Sequence, residues 1–403
     1  MTIDPLAERA AAHLQHLCVR IPARVVGSQG NRDATAYFAD VCRAAGWTVK
    51  TPTFSCMHWT ESGAELRAGA ASFEVLVSPY SLPVQVSAPL AMISTAAELE
   101  GADLVGKVVL LRGDIAREQL APKNFPWWNP EEHQRIIAAL ERAAPLAIVA
   151  ATERNPETAG AVYPFALIED GDFDIPTAHM TAEEVLKLAV YAGRTVDLEL
   201  RASRAQAVGC NVEATRARGP HVPRVVVTAH IDAKQNTPGA VDDGGGTVVL
   251  LLLAELLADQ PDTPLELVVF NGEDYYAASG EKLFVDQNGD LSGIDLNINI
   301  DGAGFIRGET HFSFYNCDDQ VAAQARRAFG SHGLVEGPQW VQGDHSIFAM
   351  AGHPAIAITT EFFEEICATI THTPKDTVEM VDPLRLAQVA RAIAAFAGQL
   401  RGR

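Results

Sequence analysis

At 403 residues, with 48% hydrophobic and 20% charged content, the chain is long enough for two domains with their own cores, and its makeup excludes the disordered and fibrous classes. A formal charge of -20 disfavours nucleic acid and anionic membrane as partners, because phosphate binding draws on clustered Lys and Arg. The cysteines (Cys18, Cys42, Cys56, Cys210, Cys317, Cys367) are scattered without a CxxC spacing, which argues against a thiolate zinc site or a disulfide frame and for reduced, mostly buried thiols.

In chain order, Asp4 is a candidate N-cap followed by Pro5, and the apolar spacing predicts helices over about 3 to 17 and 32 to 45. The first is amphipathic and lacks the uninterrupted apolar stretch of a signal peptide, so the expected location is cytoplasmic. From about 52 to 206 come short β-rich pieces such as SFEVLVS, KVVLLRG and LAIVAAT, with one helical pattern at 130 to 144. Within it NFPWWNPEEH concentrates Phe125, Trp127 and Trp128 in a loop, either an aromatic minicore or a lid lining a substrate pocket. From 208 onward apolar strands alternate with helices: RVVVTAH, GTVVLLLLAELLAD, LELVVFNGED, LNINIDG, HFSFYN, VAAQARRAFGSH, AIAITTE and a closing helix. Strands apolar on both faces imply a largely parallel sheet covered on both sides, with a ligand site at the strands' carboxyl ends. The run VVLLLLAELL is broken by Glu255 and is too short to span a bilayer.

Those strand ends carry the acids and histidines. His230 and Asp232 lie two apart in AHID, so extended backbone points both the same way, and Asp232 either accepts the ring N–H or fixes the imidazole through packing. Asp242 and Asp243 precede three glycines, as favourable helix N-terminal charges or as a bridging metal carboxylate. The adjacent Glu273 and Asp274 end LVVFNGED, Asp301 ends NINID, and His372 sits in a loop beside Pro374 and Asp376. Imidazoles and carboxylates converging on one sheet edge suit zinc. A paired site holds two ions roughly 3.5–4 Å apart and leaves one further acid to move a proton.

The motifs AHID, PGAVDDGGG, FNGED, NINIDG, GDHSIFAMAGHPAIAI and THTPKDT, with ARVVGSQGNRDATAYF upstream, resemble in order those of the co-catalytic zinc aminopeptidase family. The resemblance implies a three-layer α/β/α zinc-exopeptidase fold with a mixed, mostly parallel sheet, formed by 1–51 and 207–403. It also implies a smaller, β-rich, protease-associated-like domain inserted at 52–206. It makes His230 and Asp301 ligands of one zinc, Asp274 and His372 ligands of another, Asp242 the bridge, Glu273 the general base, and Asp232 the residue orienting His230. Asp344 and His345 would contact substrate, or His345 would be a spare ligand, and Trp127 and Trp128 would line the substrate pocket. The implied activity is hydrolysis of the N-terminal residue of a peptide, or of another amide. Many relatives carry two glutamates where this chain has Glu273 and Asp274, and the shorter Asp puts the second ion in question. The alternative is a one-zinc enzyme like the glutaminyl cyclases of the same fold.

Overall fold

The computed structural model describes residues 4–21, 23–155, 162–216, 223–260, 262–263 and 265–400. The chain divides into two units, Met1–Cys56 with Ala207–Arg403, and Met57–Gln206.

In the first unit, the strands Val225–His230, Leu265–Phe270, Leu296–Ile300 and Ala355–Thr360 are buried along their length, Glu266 alone being half-buried. Strands with no wet face belong in the middle of a covered sheet, and these pair parallel to one another. Antiparallel strands flank them: Val212–Thr215 and then Thr48–Lys50 on one side, Thr310–Tyr315 on the other, with Val335–Glu336 at the far edge. Thr310–Tyr315 departs from the parallel alternation because the link from Ile300 holds no helix, and a parallel return needs a crossover of a dozen or more residues.

One face of the sheet packs on the helix Gly245–Leu256, which is buried at every position from Gly245 to Ala254, and on the helices Pro5–Leu14, Gln29–Ala44 and Pro383–Leu400 around it. The other face carries Ser279–Asn288 and His345–Met350, where Phe270, Phe284 and Phe348 stack edge to face and tilted. Asp4 caps the first helix through Leu6 N–H and pairs with Arg391 at 2.6 and 2.7 Å, tying the two ends of the described chain together. Arg24 is buried and donates to the carbonyls of Leu17, Ile231, Pro238 and Gly239, which anchors the N-terminal segment to the loop ahead of Asp242.

The second unit has its own sheet, in which Val84–Ile93, Val108–Leu111, Ala147–Thr152 and Thr177–Thr181 pair parallel. Val108–Leu111 and Ala147–Thr152 are fully buried, and the helix Glu131–Ala143 places Ile136, Ile137 and Leu140 in the same core. This unit begins at Met57, a few residues beyond the boundary expected at 52. Among the described residues, all six cysteines are free, and no helix is long and apolar enough to cross a membrane.

Candidate metal centre

The parallel strands place His230, Phe270 and Ile300 at one edge of the sheet, with His230 in register with Phe270. The residues just beyond each strand are therefore brought together. His230 is wholly buried, and its backbone is held by Thr247 Oγ1, which donates to its carbonyl at 2.7 Å. Asp301 comes directly after Ile300 and donates its N–H to Ile358 O at 3.0 Å.

The loop before Gly245–Leu256 carries Asp242 and Asp243, joined by a cis peptide bond. Asp243 accepts from Gly246 N–H and His230 N–H, locking the loop to the strand end. A Cβ on Gly246 would lie 2.3 Å from Asp243 Oδ2 and 2.5 Å from Ile300 O, so glycine is what lets the helix start press onto the sheet.

Asp242 sits between the histidines. Its Oδ1 is 3.1 Å from His230 Nε2 and its Oδ2 is 3.0 Å from His372 Nε2. His372 Nε2 is also 3.1 Å from Asp274 Oδ1, so the shorter Asp reaches the cluster. Asp301 Oδ1 lies 4.0 Å and Glu273 Oε2 3.9 Å from His230 Nε2. Two sets of donor atoms result, His230 with Asp242 and Asp301, and Asp242 with Asp274 and His372, each with its atoms within 4.8 Å of one another. Asp242 belongs to both.

The site crowds carboxylates out of water, which shifts the pKa values of its groups. Burial, then the neighbouring Asp242 and Asp274 charges, push Asp301 up to about 7, against the relief given by His230. Glu273 is raised well above the usual carboxylate range by burial first, and by Asp274 and Asp301 in spite of His230. Burial opposes charging of His230 and His372, but the acids around them outweigh it and raise both well above an ordinary imidazole. Negative charge is in excess, and cations would relieve it.

Around this cluster stand residues that fix its loops. Of the two roles expected for Asp232, acceptance of the His230 ring N–H is beyond hydrogen-bond reach at 3.8 Å from Nδ1, and its oxygens accept Gly272 N–H at 2.7 Å and Asp274 N–H at 3.1 Å. It thereby holds the loop that bears Glu273 and Asp274. Asp376 accepts the N–H groups of Ala240, Val241 and Asp242 at 3.1, 2.7 and 3.1 Å. Neither partnership shows in the sequence, since the acceptors serve backbone, but the position of Asp376 four residues after His372 was the available signal. Glu281, buried on Ser279–Asn288, was missed as well; burial first, and the Asp232 and Asp274 charges, push it up to about 8.

Asp344 and His345 differ from the expectation of substrate contact. Both are buried; His345 Nε2 lies 3.1 Å from Trp340 O, its ring is packed by Tyr315 and Trp340, and it is in neither donor set. Asp344 has no hydrogen-bond partner on either oxygen, and burial, then Glu281 and Glu273, raise it well above its usual range. Trp127 and Trp128 lie in a loop of the second unit, where Trp127 meets Phe125 edge to face and Trp128, 55% exposed, meets His133.

Residues 211–397 match the model of peptidase family M28. Among curated proteins, aminopeptidase YwaD of Bacillus subtilis (strain 168) is 29% identical over 188 residues, covering 43% of this chain and 40% of that protein. Carboxypeptidase Q of Xenopus laevis is 26% identical over 309 residues, covering 70% of this chain and 62% of that protein. The chain thus spans between 40% and 62% of the length of these curated relatives. Among solved structures, BSAP, a zinc aminopeptidase from Bacillus subtilis, superposes with a TM-score of 0.76 at 20% identity, over 98% of this chain and 95% of that one, and shares its fold. The matched segment contains every member of both donor sets, so the part of the chain that forms the cluster is similar to peptidase family M28.

Proposed function

We propose that the chain is a zinc-dependent exopeptidase that releases the N-terminal residue of a peptide, with Glu273 as the general base. The observation that carries this reading is the double engagement of Asp242, one oxygen toward each histidine at 3.1 and 3.0 Å. A single ion needs no such carboxylate between two imidazoles; a pair of ions does.

The donor set fits the metal. Imidazole nitrogen and carboxylate oxygen are zinc ligands, and both His230 ring nitrogens and Asp274 Oδ2 are buried without a hydrogen-bond partner. His230 and Asp301 would hold one ion, Asp274 and His372 the other, and Asp242 both. Bound zinc supplies Lewis acidity toward the scissile carbonyl and lowers the pKa of a coordinated water to about 7.

The side chains do the rest. Glu273 faces the cluster without belonging to either donor set, and its side chain keeps 24% exposure, so it can meet both water and substrate. It takes a proton from the attacking water as the oxygen joins the carbonyl carbon, then gives that proton to the amine as the C–N bond breaks. Asp232 and Asp376 keep the Glu273 and Asp242 loops in place meanwhile. The acids around the cluster favour a protonated amino terminus over a carboxylate as the anchored end of the substrate. The names of YwaD and BSAP agree with that direction, whereas carboxypeptidase Q is named for the other.

The test is a panel of aminoacyl-anilides, N-blocked peptides and a peptide with N-terminal Gln, run with metal analysis. The expected result is two zinc ions per chain, release of free N-terminal residues, no cleavage of blocked peptides, and activity lost to a chelator and regained with zinc. Glu273→Gln should keep its zinc and lose at least about 100-fold in turnover. Turnover unaffected by chelation, or undiminished in Glu273→Gln, would overturn the reading, and conversion of N-terminal Gln to its cyclic product would favour the one-zinc cyclase.

A further inference from the structure

The opposite end of the same sheet holds an open cavity of about 700 Å³. Val225–His230 and Leu265–Phe270 run from it toward the metal cluster, and a six-residue strand rises roughly 17–20 Å. Glu266 points to the face covered by Ser279–Asn288, and that helix ends at Asn288 before Gly289 turns with φ 62°. The start of the sheet is thus left open, lined by Lys50, Glu213, Thr215, Arg224, Glu266 and Gln287.

Three of these groups, Arg224, Glu266 and Thr215, are already engaged. Arg224 donates to Glu266 at 2.8 and 3.2 Å and to Asn288 Oδ1 at 2.9 Å, and Thr215 Oγ1 donates to Thr48 O at 3.4 Å. Glu213 is different. It is 9% exposed, and its Oε1 is buried with no hydrogen-bond partner. Leaving a buried carboxylate oxygen unmet costs several times what a surface one does, which makes it an anchor for an incoming cation. Lys50 stands directly opposite Glu213 in the antiparallel register and is exposed. Such neighbours have Cβ atoms about 5 Å apart on one face of the sheet. A negative and a positive group therefore border the cavity side by side on one face of the sheet, as the two ends of a single small zwitterion require.

We propose that this cavity binds a free α-amino acid, its ammonium on Glu213 and its carboxylate on Lys50, as a second small-molecule site remote from the metal cluster. The ligand class is that of the product released by the proposed exopeptidase, and only the source of the ligand rests on that reading. The charge pair and the cavity stand without it.

Calorimetric titration of the zinc-loaded full-length Glu273→Gln chain, which keeps its metal without turning leucine amide over, with L-leucine, leucine amide and isovalerate tests the proposal. Leucine should bind, while leucine amide, lacking the carboxylate, and isovalerate, lacking the amine, should each bind at least tenfold more weakly. Glu213→Gln and Lys50→Met should each weaken leucine binding at this site at least tenfold and leave anilide hydrolysis within twofold of wild type. The proposal is overturned if leucine is not taken up, if either analogue matches it, or if both variants bind leucine as wild type does. These readouts are binding constants, so a chain inactive on peptides would still show whether the cavity takes leucine, and an active chain that ignores leucine loses the cavity alone.

Discussion

Asp376 shows how much a single residue contributes without supplying an atom to either donor set. Three N–H groups of the loop that presents Asp242 converge on its carboxylate, and burial first, then the Asp242 charge, push it up to about 7. Asp376→Asn keeps the shape but turns an NH2 toward one of those donors. Zinc affinity should fall 10–100-fold, the usual cost of disturbing a group that orients a ligand, and competition with a chromogenic chelator measures it. Unchanged affinity would mean that the loop holds Asp242 by other means. The members of the two donor sets were legible as candidates because imidazoles and acids stand at the ends of apolar runs. Asp232 and Asp376 were visible but not their partners, since a carboxylate that accepts backbone N–H leaves no complementary side chain to find in the sequence. Asp344 and His345 show the converse: a motif placed them near the site, and only packing shows that both are covered.

At the level of elements, the sheet edge and the DDGGG turn form one unit. Gly246 has no room for a side chain between Asp243 and Ile300 O, whereas Gly398, within Pro383–Leu400, has nothing within 4 Å of an added Cβ. Gly246→Ala should therefore destabilise the fold by at least about 1–3 kcal/mol through overpacking. Gly398→Ala should be neutral or stabilising by up to about 1 kcal/mol, through helix propensity. Thermal melts of the two variants beside wild type give the comparison, and equal melting points would contradict the role given to Gly246. The central strands were readable because they are apolar on both faces. The reversed direction of Thr310–Tyr315 was not, because strand direction depends on what the connection can span, and composition is silent on that.

At the scale of the whole molecule, acid acts on the second unit through a buried histidine. In the second, His179 is buried on Thr177–Thr181, and desolvation, opposed by Glu169, lowers its pKa to about 4. The unfolded chain takes up this proton near pH 6.5 and the folded unit only near 4, so stability rises with pH across that window and is lost as pH falls through it. The full effect is about 3 kcal/mol. Hydrogen exchange of the Ala147–Thr152 and Thr177–Thr181 amides, corrected for intrinsic rates, should show protection falling between pH 6.5 and 4, less so in His179→Leu. Identical profiles would remove His179 from the account. The split into two textures near 52 and 206 could be read from strand length and helix spacing, but the junction itself falls within the long strands Thr53–Ala68 and Thr195–Cys210, which cross it without a compositional break. Arg24 adds a constraint of timing. During synthesis its guanidinium leaves the ribosome well before Ile231, Pro238 and Gly239 exist to receive it, so the nascent N-terminal segment must wait with its future anchor solvated while an entire intervening unit is translated.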